Sequence, residues 1–166
     1  VLVMNLFCFG LGYCANYLST KFIKQGWQVS ATCRSSEKAA VLDASDIRPV
    51  LLPGRKVTVT DLGKADHILI SVPPEQDGSD PVLNFAEAAL AALQDQIKWV
   101  GYLSTTGVYG DHQGAWIDEE TPAGLLSERG QRRVAVEAQW AATGLPMHYF
   151  RPVSYTHLTL PTTHCV

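Results

Sequence analysis

The sequence predicts a three-layer α/β/α protein of Rossmann type, a doubly wound parallel sheet with helices on both faces. Three observations carry that prediction. Short apolar runs such as His67-Ile-Leu-Ile-Ser-Val72 are nearly continuous, as strands buried on both faces are. Segments of helical period separate these runs, and strand–helix alternation calls for parallel pairing through right-handed crossovers. Gly10-Leu-Gly12-Tyr-Cys-Ala15 falls at the first strand–helix junction.

Taken in order, residues 4–9 form an apolar run ending at glycine, a buried strand. Residues 13–25 place Ala15, Leu18 and Phe22 on one face and stop at Gly26, a helix with a glycine cap. Residues 27–33 read as the second strand, 36–44 as a short helix and 48–52 as a weak third strand. Residues 67–72 are a strong fourth strand. Asp80-Pro81 opens the next helix, because Asp caps free N–H groups and Pro has none to lose. Its predicted buried stripe is Leu83, Ala86, Leu90 and Leu93. Residues 98–104 are the fifth strand. Residues 127–142 are a helix with Val134, Ala138 and Ala141 turned inward, and 146–150 are the sixth strand. No short-period repeat or low-complexity segment is present.

Composition narrows the function classes. With 46% apolar and 17% charged residues and a net charge of −3, the chain has the balance of a globular domain and no electrostatic footprint for nucleic acid or an anionic membrane. Its apolar runs are far shorter than a bilayer requires, and no charged-then-apolar leader is legible at its start. Cysteines stand at 8, 14, 33 and 165 without C-x-x-C or zinc spacing, so buried reduced thiols, a cytoplasmic location and no metal are expected. Oligomeric state leaves no signature. The domain is expected over residues 4–152. Val1 to Val3 read as upstream of a start at Met4. Residues 154–166 lack any amphipathic period and resemble translated adapter sequence, so a substrate domain is expected to follow Pro152 in a longer protein.

The glycine segment has the G-x-G-x-x-A layout that a dinucleotide requires. Gly10 allows the tight turn, Gly12 lets a pyrophosphate approach the backbone, and Ala15 lets the helix pack close to the sheet. Free N–H groups at the helix start, including those of Tyr13 and Cys14, then meet the phosphate charge. A glycine-rich turn used only for packing is the competing reading. The end of the second strand reads Thr32-Cys33-Arg34-Ser35, with no carboxylate for the ribose hydroxyl of NAD. Arg34, 22 residues after Gly12, and Ser35 suit the 2′-phosphate of NADP instead, with NAD as second choice and a solvated arginine as the alternative.

FCFGLGYCA, ISVPP, YLSTTGVYGD and WIDEETP…SERGQRRVAVEAQW, in that order over roughly residues 4–151, resemble the extended and atypical short-chain dehydrogenase/reductases, the NAD(P)-dependent epimerase/dehydratase group. The resemblance implies that Ser71, Val72, Pro73 and Ser104 line the cofactor cleft. It also implies that Thr105 is the active-site hydroxyl and that Asp61-Leu62 is similar to an Asp-Leu pair that meets adenine. In that family a Tyr-x-x-x-Lys pair moves the proton during hydride transfer. Here the matching helix has Arg129 and Arg133, and arginine cannot serve as a general acid or base. Arg133 remains a candidate for phosphate or ribose. Tyr109 is the nearest alternative proton donor, and a packing tyrosine on its bare sequence. Asp118-Glu119-Glu120 reads as a solvated loop as readily as an acid/base cluster, His67 as the edge of a strand and His112 as loop.

These readings imply an NAD(P)-dependent oxidoreductase or epimerase-like protein acting on a small hydroxyl or carbonyl compound, a nucleotide sugar among the candidates. The rival is a dinucleotide-binding sensor or regulator without turnover, which loss of the Tyr-Lys pair favours.

Overall fold

The computed structural model describes residues 3–52, 54–124 and 126–152. Six parallel strands, β1 (Asn5–Phe9), β2 (Gln28–Cys33), β3 (Ile47–Leu51), β4 (His67–Ile70), β5 (Trp99–Leu103) and β6 (Met147–Phe150), form one sheet in the order β3-β2-β1-β4-β5-β6. Chain order reverses between β1 and β4, which opens a crevice at their carboxyl ends. Phe7 lies opposite Ser30 on one side and Ile68 on the other. β3 tolerates Pro49 because it is an edge strand with no partner on its far side among the described residues.

Successive β1 residues point to opposite faces. Phe7 and Phe9 enter the larger core with α3 (Val59–Leu62), α4 (Pro81–Ala92) and α5 (Glu128–Ala141), while Leu6 and Cys8 enter a second core under α1 (Tyr13–Lys24) and α2 (Ser36–Asp43). The caps explain the helix starts. Asp80 Oδ1 accepts from the N–H groups of Val82 and Leu83, and Ser127 accepts from Gly130. α3, too short to show a helical period in the sequence, is nucleated by a reciprocal capping box between Thr58 and Asp61.

Two expected faces are corrected. α4 buries Val82, Ala86, Ala89 and Leu90, with Leu83 and Leu93 only partly covered. α5 buries Gly130, Arg133, Val136, Glu137 and Trp140 and leaves Ala138 and Ala141 exposed. An apolar stripe does not define that face, because two of its charged side chains find polar partners inside. Glu137 accepts from Ser104 and Arg151, and Arg133 donates to Tyr102. α5 also approaches the sheet's loop edge closely. A Cβ on Gly130 would stand 2.6 Å from the carbonyl oxygen of Gly107.

On the α1 side, no described helix covers the β4–β6 half of the sheet. His67, Leu69, Trp99, Leu103 and Phe150 line an open groove of about 1040 Å³ there. No helix among the described residues is long and apolar enough to cross a membrane.

Candidate functional site

β1 delivers the chain to Gly10, whose φ of +75° turns it sharply into α1. Two hydroxyls hold the turn. Thr32 Oγ1 accepts the Gly10 N–H at 2.8 Å. Ser71 Oγ accepts the Gly12 N–H at 3.4 Å and donates to the Gly10 carbonyl at 3.3 Å. The N–H groups of Tyr13, Cys14 and Ala15 have no acceptor among the described residues, and no side chain caps α1 or places an acid in its first turn. The positive end of a 12-residue helix therefore faces the β1–β4 crevice unneutralised. At Gly12 an added Cβ would meet only Ser71 Oγ, at 3.6 Å, so the approach is open. These residues fit a pyrophosphate.

On one side of this turn a cavity of about 790 Å³ runs past Gly10 and Gly12 to Arg34 and Ser35. Ser35 caps α2 by accepting the Lys38 N–H, and its hydroxyl donates to the neighbouring Glu37 carboxylate. Lys38, Arg55 and Lys56 line the same space, so four cations surround it and Glu75 is the lining acid. The sequence reading missed these three. The signal for Arg55 and Lys56 lay in the topology, since the loops leaving β2 and β3 end side by side, while that for Lys38 was local, in the first turn of α2. Asp61 is corrected. Its carboxylate takes the Arg55 fork at 2.7 and 2.9 Å and the N–H of Thr58, which together hold it well below the usual carboxylate range, and Leu62 is buried in the core.

On the other side, a cavity of about 540 Å³ is lined by Gly12, Cys14, Ser71, Pro73, Thr105 and Arg129, among others. β4 ends at Ile70, so Ser71, Val72 and Pro73 leave the sheet and border the cleft. Thr105 caps a 3-10 turn at Thr106–Val108 by accepting the Gly107 N–H, again leaving its hydroxyl proton available. Gly130 lets α5 close on this turn, which brings Arg129 and Arg133 to the same cavity.

Several predicted residues stand elsewhere or are otherwise engaged. Ser104 is fully buried and donates to Glu137, so its hydroxyl faces inward rather than into the cleft. Tyr109 is 6% exposed, accepts from Arg151 at 3.0 Å, and lines the apolar groove instead of the Thr105 cavity. Arg133 reaches the cavity, but its Nη1 donates to the Tyr102 hydroxyl at 3.0 Å and the Leu103 carbonyl at 3.2 Å, which makes it a wall with limited reach. Asp118 spends its carboxylate on Thr121 and the Glu120 N–H in an exposed turn. His67 begins the central strand β4 and is paired with Asp66, while His112 lies in a loop against the Tyr109 carbonyl.

Cys8 and Cys33 are buried, and burial pushes the Cys8 thiol up to about 12. Cys14 is only half-buried, contrary to expectation, because it faces the cleft. Cys165 and the rest of the tail lie outside the described residues. No group of three or more His, Cys, Asp or Glu among the described residues is placed to hold a metal.

No family model matches the chain. Its sequence is similar to protein YeeZ of Escherichia coli strain K12, 28% identical over 131 residues, which is 74% of this chain and 47% of YeeZ. The chain thus spans about half the length of that curated relative. A conserved protein of unknown function from Silicibacter pomeroyi superposes with a TM-score of 0.80 at 44% identity, over 90% of this chain and 52% of the other. UDP-glucuronic acid 4-epimerase from Bacillus cereus, solved in complex with NAD, superposes with a TM-score of 0.67 at 16% identity, over 89% of this chain and 56% of the epimerase. The architecture predicted from strand–helix alternation is therefore the observed one, a Rossmann-type sheet of the kind on which such epimerases are built.

Proposed function

We propose that the chain binds NADP(H) along the carboxyl ends of β2, β1 and β4. As part of a longer protein, it forms the cofactor half of an oxidoreductase or epimerase acting on a small hydroxyl or carbonyl compound, with a nucleotide sugar among the candidates. One observation carries this reading: the unpartnered N–H groups of Tyr13, Cys14 and Ala15 open onto a crevice that Gly12 leaves free of side chain. Gly12, Tyr13 and Cys14 would hold the pyrophosphate. Ser71, Val72 and Pro73 would border the nicotinamide riboside, and Arg34 and Ser35, joined by Lys38 and Lys56, the 2′-phosphate. The bound cofactor supplies hydride chemistry, and Thr105 positions a substrate oxygen by donating its hydroxyl proton. The open groove beside β6, rimmed by Pro152, supports the expectation that further chain packs there and completes the substrate pocket.

A second reading, a dinucleotide-responsive sensor, is favoured by one feature. Arginine occupies positions 129 and 133, and Tyr109 is turned away from the Thr105 cavity.

The test is a titration of NADPH and NADH at physiological salt, repeated with Arg34→Ala. Charge-assisted bonds of about 1.5–3 kcal/mol correspond to a preference for NADPH of roughly ten- to a hundredfold. Because Arg34 is exposed, the lower end is expected. Tighter NADH binding, or an unchanged ratio in Arg34→Ala, contradicts the assignment.

A further inference from the structure

We infer that the cavity between the glycine turn and the start of α5 receives a negatively charged substrate, a small hydroxy or oxo compound bearing a carboxylate or phosphate. This rests on the reading above and names the substrate class of the same site. Among the described residues, the charged side chains lining the cavity are Arg129 and Arg133, with no Asp or Glu. Arg129 is exposed and has no hydrogen bond or ion pair among the described residues. The acid next to it in sequence, Glu128, is turned to Arg132 instead, at 4.0 Å. An arginine fork left free is a bidentate site for a carboxylate or phosphate.

Two further features point the same way. α5 is 14 residues long, and its N-terminus opens at Ser127, which itself lines the cavity. Of its first N–H groups, those of Glu128 and Arg129 have no acceptor among the described residues. Thr105 stands across the space with a hydroxyl proton to donate. An anion held by Arg129 would leave the adjacent carbonyl or hydroxyl of a small substrate for Thr105. A neutral substrate would leave Arg129 without a counter-ion at the mouth. The positions that carry a proton-transfer pair in the resembled enzymes are thus recast here as anion recognition.

The test uses an unreactive, size-matched pair, oxamate (a carboxylate) and oxamide (its neutral amide), titrated against the chain with and without saturating NADPH. Oxamate is expected to bind about tenfold or more tightly than oxamide, the yield of one charge-assisted arginine contact. Raised salt should erode the difference. Arg129→Gln should abolish it while leaving the NADPH dissociation constant within about twofold and the melting temperature unchanged, since the side chain is exposed and unpartnered. Arg129→Lys should keep part of it. Equal binding of the two probes overturns the inference. So does an Arg129→Gln variant that loses NADPH as strongly as oxamate, which would put Arg129 on the dinucleotide's own phosphates. A chain that binds no NADPH fails the earlier reading, while the arm without dinucleotide still decides this one.

Discussion

Replacing the two glycines of the turn separately distinguishes a binding turn from a packing turn. Gly10 has φ +75°, and an added Cβ would stand 2.9 Å from Val72 Cγ2. The left-handed conformation costs an alanine about 1–2 kcal/mol, and the short contact adds to it. Gly10→Ala should therefore cost about 2 kcal/mol and lower Tm by about 4–8 °C in a chain of this length. Gly12 has φ −75° and ψ −173°, which any residue adopts, and the nearest atom to its added Cβ is Ser71 Oγ at 3.6 Å. Gly12→Ala gains about 0.4–1 kcal/mol from a less flexible unfolded chain. It loses a comparable amount because alanine caps a helix worse than glycine. Tm should therefore stay within about 2 °C. The new methyl nevertheless projects into the crevice, where a phosphate oxygen needs to come within about 2.7–3.2 Å of the α1 N–H groups. Losing one or two charge-assisted bonds should weaken NADPH about ten- to a hundredfold. Thermal unfolding followed by circular dichroism and NADPH fluorescence titration read the two effects independently. A Gly12→Ala protein that binds NADPH normally, or that is destabilised as much as Gly10→Ala, refutes the reasoning.

Two further outcomes follow from the polar contacts. Asp61 has its carboxyl pKa depressed by Arg55 and Thr58, so the stability it confers is full above its unfolded value, about 3.9, and is lost as pH falls below it. Asp61→Asn should therefore lower Tm at pH 7, and the difference should shrink in melts run toward pH 3. Glu137 is 8% exposed and ion-paired with Arg151 at 2.6 Å, the Arg151 side chain being 27% exposed. Glu137→Gln should cost about 2 kcal/mol, between the values for exposed and fully buried pairs, and lower Tm by about 4–8 °C. Glu137 lines neither cavity, so NADPH affinity should hold in the same variant.

Much of the fold was legible in the sequence because apolar strands, capped helices and the glycine turn agree with one another. Asp80 before Pro81 and Gly26 after α1 marked ends that the structure keeps within a residue or two. What was not legible depends on partners distant in sequence. The inward face of α5 is set by Tyr102, Ser104 and Arg151 accepting or donating to Arg133 and Glu137, and no local period encodes that. Ser104 and Tyr109 sit in the right segment, but β5 and β6 turn one into the core and pair the other with Arg151. α3 escaped notice because four residues held by a capping box carry too little pattern to read. Arg55 and Lys56 became neighbours of Arg34 only through the pairing of β3 with β2, whereas Lys38 stands beside it in the first turn of α2.

The central claim is that a nicotinamide dinucleotide lies over the Gly10–Ala15 turn. A crystal structure of the chain grown with NADPH tests it most directly. Density is expected for the pyrophosphate within hydrogen-bonding distance of the Tyr13 and Cys14 N–H groups and for the 2′-phosphate among Arg34, Ser35 and Lys38. A dinucleotide seated elsewhere, or a turn that remains empty at saturating NADPH, would contradict it.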